Sequence, residues 1–254
     1  MNISVYYCFP RSGGTLLNQC LLCHDQNVVL SEINPADSVI HPADQARDWF
    51  NLISDRTGTS KMNDLFYNDA IHEISKTCAG QGKHLCLRDW SGPNFVSGLS
   101  PWVDQPSLQL EQKIYLQYSK LKFQEIVFLR RSRAVFDSLR KNIPECAHFT
   151  IRHFEAAYRP FVTLTQGMDR FFLEDFIRNS PAQLKAICTR LDLGFAPDFS
   201  GRFARQTKLT GNTTLPKPAL SSTWTEIKAP ALPREESLPH PVFKELDLLA
   251  GYVD

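Results

Sequence analysis

The chain has 254 residues, 43% of them apolar and 22% charged, and carries a formal net charge of +1. That balance is ordinary for a globular protein, the length suits one large α/β domain or two small ones, and the near-neutral charge excludes a general nucleic-acid binder, which carries a basic excess. No run reaches the roughly 18 apolar residues of a membrane span, and no basic and apolar leader precedes the first strand, so a soluble, cytoplasmic protein with no nucleic-acid or membrane partner is expected.

The short apolar segment Ile3–Cys8 predicts a strand. A turn over Phe9–Gly13 follows, then a helix over Gly14–His24 with Leu16, Leu17, Cys20 and Leu21 on its inner face. The turn carries one cation, Arg11, and two hydroxyls close by, Ser12 and Thr15, around the pair Gly13-Gly14. Glycines let backbone N–H groups crowd onto a phosphate, and a helix N-terminus adds partial positive charge. Residues Arg11 to Leu16 therefore read as an anion cradle. They do not form the GxxxxGK(S/T) loop of nucleoside triphosphatases, because no lysine follows the glycines.

A short strand over Val28–Leu30 is expected next, and residues 36–80 read as helical and polar, with loop material around Asp55–Thr59. His84–Arg88 predicts a strand that runs into Asp89-Trp90-Ser91-Gly92. Glu125–Leu129 is short and almost wholly apolar, as a buried parallel strand is. Helices are predicted over Arg133–Lys141 and Ile151–Gly167, then a strand over Arg170–Leu173, a capping region at Glu174-Asp175, and a helix over Pro181–Leu191 with proline in its first turn. From Gly211 to Pro241 the chain turns proline-rich (Pro216, Pro218, Pro230, Pro233, Pro239, Pro241) and reads as extended or irregular, before a terminal helix over Val242–Ala250. Strands alternating with helices predict one α/β domain over residues 1–254, with a central parallel sheet flanked by helices.

Seven cysteines are an odd number without framework spacing. Cys20-x-x-Cys23 lies inside the first predicted helix with no second such pair, and the other ligands a zinc ion needs are not apparent, so these residues read as buried thiols. Arg130 follows the predicted strand Glu125–Leu129 at its carboxyl edge, where open α/β sheets bind ligands. With Ser138 in the following helix it offers a second anion site, separate from the first.

Pro10-Arg11-Ser12-Gly13-Gly14-Thr15-Leu16-Leu17 after the first strand, with Leu129-Arg130 and Ser138 after a later one, resembles the sulfotransferase superfamily. Arg170-Phe-Phe-Leu-Glu174-Asp175, the helix after it and Lys208-Leu-Thr-Gly-Asn212 resemble later family segments, so the likeness spans about residues 3–225. In style the motifs are nearest to the glutamate-dependent members, the tyrosylprotein and bacterial branches. The resemblance implies a P-loop NTPase-like topology. It also implies a donor, 3′-phosphoadenosine-5′-phosphosulfate (PAPS), a product, PAP, and no metal requirement. Arg11, Ser12, Gly13, Gly14, Thr15 and Leu16 would bind the 5′-phosphosulfate, and Arg130 and Ser138 the 3′-phosphate. Arg131-Ser132 stands where the family has Asp-Pro, which leaves open whether Arg130 or Arg131 takes that phosphate. Gly14 replaces the first threonine of the common Ser-Gly-Thr-Thr pattern.

In the family the basic residue before Ser-Gly stabilises the leaving oxygen, a role that falls on Arg11. Glu32, just past the second predicted strand, corresponds to the base; no motif selects a histidine in its place. Arg88 would steady the transferring group, with Asp89 positioning Arg88 or the acceptor. Trp224, in the proline-rich segment, is the expected adenine clamp. Trp49, Phe50, Trp90 and Phe95 fall in acceptor-shaping segments but read as core. The expected activity is sulfuryl transfer to a hydroxyl on a small-molecule acceptor. A donor-binding protein without turnover, and an ATP-dependent P-loop kinase, are the alternatives.

Overall fold

Every residue of Ile3–Tyr7 (β1) is buried, as in a strand of a sheet covered on both faces. The computed structural model of the chain, which describes residues 3–53, 67–211 and 240–253, places it in such a sheet. Its partners are β2 (Asn27–Ile33), β3 (His84–Asp89), β4 (Phe123–Leu129) and β5 (Asp169–Phe172). The order across the sheet is β2-β3-β1-β4-β5, and every pairing is parallel.

Alternation along β1 divides the core. Ile3, Val5 and Tyr7 face one apolar cluster, covered by α3 (Tyr67–Gly80), α7 (Ile151–Leu164) and α11 (Pro241–Ala250). Tyr6 and Cys8 face the other, covered by α1 (Gly14–Leu21), α8 (Leu173–Arg178) and α9 (Ser180–Arg190). The remaining helices are α2 (Pro42–Phe50), α4 (Gly92–Phe95), α5 (Glu111–Tyr118), α6 (Ser132–Asn142) and α10 (Phe199–Arg202). Because β3 and β4 flank β1 on opposite sides, the chain leaves β1 at the point where the strand order reverses, where open parallel sheets hold ligands.

Several boundaries differ from the sequence expectation. Helix α1 stops at Leu21, short of His24. Strand β2 runs on to Ile33, so Glu32 stands inside the strand rather than after it. The extension exists because the β2–β3 ladder breaks after Leu30 and resumes at Ile33 opposite Asp89. Glu174-Asp175 forms part of a helix, α8, because Phe176 and Leu173 bury one side of that turn. Helices α4 and α5 were not legible as periodic stretches. Of the proline-rich segment only Gly211, His240 and Pro241 are described, and Pro241 opens α11 at its first turn. The loop expected around Asp55–Thr59 lies outside the described residues.

Candidate functional site

The first turn is built by backbone geometry. Arg11 and Gly13 both take left-handed conformations, at φ 72° and 91°, and Ser12 N–H closes the turn onto Phe9 C=O at 3.1 Å. Helix α1 starts with no side-chain cap. Its first internal bond runs from Leu17 N–H to Gly13 C=O, 3.1 Å, so the N–H groups of Gly14, Thr15 and Leu16 are the orphan donors of a helix N-terminus. Ser12 is fully buried, and among the described residues its Oγ has no partner. A side chain at position 14 would overlap Cys8 Sγ and stand 3.0 Å from Arg88 Nε. That packing leaves no room for a threonine at position 14.

The second motif is cross-linked to the first. Arg11 Nε donates to Ser138 Oγ at 3.0 Å, and Arg130 donates in return to Arg11 C=O at 3.1 Å. Tyr158 O–H donates to Arg130 C=O at 3.2 Å, and its ring meets Phe9 edge-on at 5.0 Å between centroids. One aromatic core thus anchors both loops. Arg11 is pulled below its ordinary pKa by burial and by the charges of Arg130 and Arg88, and burial likewise lowers Arg130. Cations pressed together in this way favour an anion between them.

Arg131 takes a different course from Arg130. Its guanidinium lies 3.5 Å from Asp247 and sits over the Tyr252 ring, 4.6 Å from the centroid. Arg130 lines the site cavity.

The third group sits on β2 and β3. Glu32 has φ 54° where the ladder is broken. Such an irregularity re-aims a side chain, and here Glu32 Oε1 accepts from Arg88 at 3.0 Å with both side chains largely buried. Arg88 also donates to Ser31 Oγ at 3.2 Å and Thr210 C=O at 3.4 Å. Burial opposes the charge on Arg88, but Glu32, followed by Tyr6 and Cys8, more than offsets it, and its pKa ends above the ordinary value. Gly211 closes over this pair: a Cβ there would lie 3.0 Å from Glu32 Oε1 and 3.1 Å from Thr15 Oγ1.

Asp89 lines the same cavity as Arg88 but takes a different partner. It accepts from Ser91 O–H.

These groups line one cavity of about 990 Å³, together with apolar walls from Pro10, Leu99 and Ile143. Of the residues read from the sequence, Arg11, Gly13, Gly14, Thr15, Leu16, Glu32, Arg88, Asp89 and Arg130 line it. Ser12 is buried beneath the turn, and Ser138 reaches the site through Arg11. Trp224 lies outside the described residues. Trp90 lines the cavity, while Phe95 is buried in the core. Sequence reading missed Gln45, Ser31 and Thr210, which hold the Glu32 segment, because their contacts join segments distant in the chain. Among the described residues no three His, Cys, Asp or Glu side chains gather as a metal site, and no helix is long and apolar enough to cross a membrane.

No protein-family model matches the chain, and no curated protein sequence matches it. Solved structures do. The sulfotransferase domain of the olefin synthase of Synechococcus PCC 7002 covers 100% of this chain and 96% of its own, with a TM-score of 0.64 at 18% identity. The sulfotransferase domain of the curacin biosynthetic pathway covers 99% and 98%, with a TM-score of 0.61 at 14% identity. Mouse sulfotransferase SULT7A1 complexed with PAP covers 98% and 82%, with a TM-score of 0.45 at 10% identity. The chain has the sulfotransferase fold.

Proposed function

We propose that this chain is a PAPS-dependent sulfotransferase acting on a hydroxyl of a small-molecule acceptor. The observation that carries the reading is the convergence of three guanidiniums, Arg11, Arg88 and Arg130, with the Glu32 carboxylate around one cavity. The residues fit the donor. The buried Ser12 Oγ, unpartnered among the described residues, and the N–H groups of Gly14, Thr15 and Leu16, which no side chain caps, suit its 5′-phosphosulfate. Arg130 and Ser138 suit its 3′-phosphate. PAPS supplies a sulfuryl group already activated for transfer and departs as PAP.

The chain's own part is positioning and charge. Glu32 takes the acceptor's proton, and Arg88 holds the carboxylate in one orientation while carrying positive charge into the site. Arg11, tied to Ser138, sets a second cation against the charge that develops on the leaving oxygen. With charge compensation provided by arginines, the scheme calls for no metal. An ATP-dependent kinase would need a phosphate-binding lysine and acidic magnesium ligands, and no lysine follows Gly13-Gly14.

The test is transfer from radiolabelled PAPS to pools of hydroxyl-bearing metabolites, run beside Glu32→Gln and Arg11→Ala. Glu32→Gln is expected to lower kcat by about 10²–10⁴-fold with PAP affinity nearly unchanged, while Arg11→Ala weakens both. Full turnover in Glu32→Gln would remove Glu32 as the base. PAP binding without transfer to any pool would mark a donor-binding protein, and binding of ATP in preference to PAP would reject the reading.

A further inference from the structure

The two anion cradles differ at their helix ends. Helix α1 starts with no side-chain cap on its N–H groups. Helix α6 has its first two N–H groups capped from afar, although its own N-cap residue, Arg131, supplies no side-chain cap. Arg131 N–H donates to Glu174 Oε1 at 3.0 Å, across 43 positions of sequence. Ser132 N–H donates to Asp247 Oδ1 at 2.7 Å, across 115 positions. Both acids are themselves held, Glu174 by Tyr252 O–H at 2.8 Å and the Asp247 segment by Ser132 O–H onto Phe243 C=O at 3.1 Å. The first two donors at the start of α6 are therefore occupied by carboxylates.

Two adjacent arginines compete for an anion at this cradle, and their contacts separate them. Arg131 is drawn outward to Asp247 Oδ2 at 3.5 Å and over the Tyr252 ring. Arg130 turns inward, its guanidinium on Arg11 C=O and its own C=O held by Tyr158. We propose that Asp247 is a positioning residue of the second cradle: from the terminal helix it caps α6 at Ser132 and retains Arg131, so that Arg130 alone presents its cation to the 3′-phosphate. This rests on the donor reading above. The arginine is chosen by a carboxylate more than a hundred residues downstream, and neither residue of the Arg130-Arg131 pair encodes the choice by itself.

The experiment compares the affinity of each variant for adenosine 3′,5′-bisphosphate and for adenosine 5′-monophosphate, which lacks the 3′-phosphate. Their ratio isolates the second cradle. Asp247→Ala is expected to lower the ratio by about tenfold, the scale of one charge-assisted hydrogen bond, with affinity for the monophosphate nearly unchanged. Asp247→Asn keeps an oxygen for Ser132 N–H and is expected to recover most of it. Arg131→Ala is expected to keep the wild-type ratio and Arg130→Ala to abolish it, which tests the same assignment if Asp247→Ala does not fold.

A wild-type ratio retained in Asp247→Ala overturns the inference alone, as does a ratio lost in Arg131→Ala. A wild-type chain that binds both nucleotides equally overturns the donor reading, and this inference with it.

Discussion

Arg88 and Asp89 are consecutive on β3 and both line the cavity, but they take different partners. Arg88 finds Glu32, whose charge answers its own. Asp89 is 1% exposed, its Oδ2 accepts from Ser91 O–H, and its Oδ1 has no partner among the described residues. Burial pushes its pKa up to about 7, with Ser91 pulling down and Glu111 adding to the rise. The folded chain therefore binds a proton here that the unfolded chain has released. Stability is highest below the ordinary carboxylate range and falls as pH rises toward 7. The loss is at most a few kcal/mol, about 1.4 for each pH unit of that window. Asp89→Asn is expected to flatten the dependence, melting above the wild type at pH 8 and level with it or below it at pH 5. Parallel pH profiles of the melting temperature in the two proteins would refute the assignment.

At the scale of elements, β2 is an edge strand whose backbone loses its ladder to β3 just where Glu32 must be placed. Gln45 of α2 takes over. Its Oε1 accepts from Ser31 N–H at 2.7 Å, and its Nε2 donates to Ser31 C=O at 2.8 Å and Ile40 C=O at 3.1 Å. The buried amide thus imitates a neighbouring strand for one residue. Ser31 Oγ and Thr210 Oγ1, 2.8 Å apart, tie the 206–211 segment to the same point. Gln45→Leu would leave a buried N–H and C=O unpaired, each worth about 1–3 kcal/mol. We expect lower stability in urea and a kcat reduced more than PAP affinity, because Glu32 loses its aim while the Ser12–Leu16 turn is untouched. Unchanged kcat in a folded Gln45→Leu protein would show that β2 holds Glu32 without this support.

At the scale of the whole molecule, all seven cysteines are buried and free, spread over the cores on both faces of the sheet. Burial pushes Cys23 and Cys188 up to about 12, and Cys78 and Cys146 up to about 11. Thiols in this state do not form the thiolate that alkylating reagents attack. The native chain at pH 8 is expected to resist iodoacetamide, and labelling to follow global unfolding in urea. PAP slows labelling further if it binds the folded chain. Rapid modification of several thiols without denaturant would mean that one core opens independently of the other.

Much of this was legible in the chain, and for local reasons. The strand–turn–helix at Ile3–Leu21 is written in consecutive residues, as are the apolar run of β4 and the offset from Arg130 to Ser138. Periodicity and turn chemistry act within a few residues, so they can be read without a fold. The sequence alone thus determined the α/β class and the two motifs, Arg11–Leu16 and Arg130 with Ser138, that the fold brings together. The tertiary structure decided what depends on residues far apart: that β2 carries Glu32 within it, held by Gln45, and that Asp89 and Arg88 take different partners. It likewise decided that position 14 has no room for a threonine, through Cys8 and Arg88, and that Arg131 faces Asp247 while Arg130 faces the cavity. Those outcomes are set by packing and by caps donated across the fold, which no local pattern records.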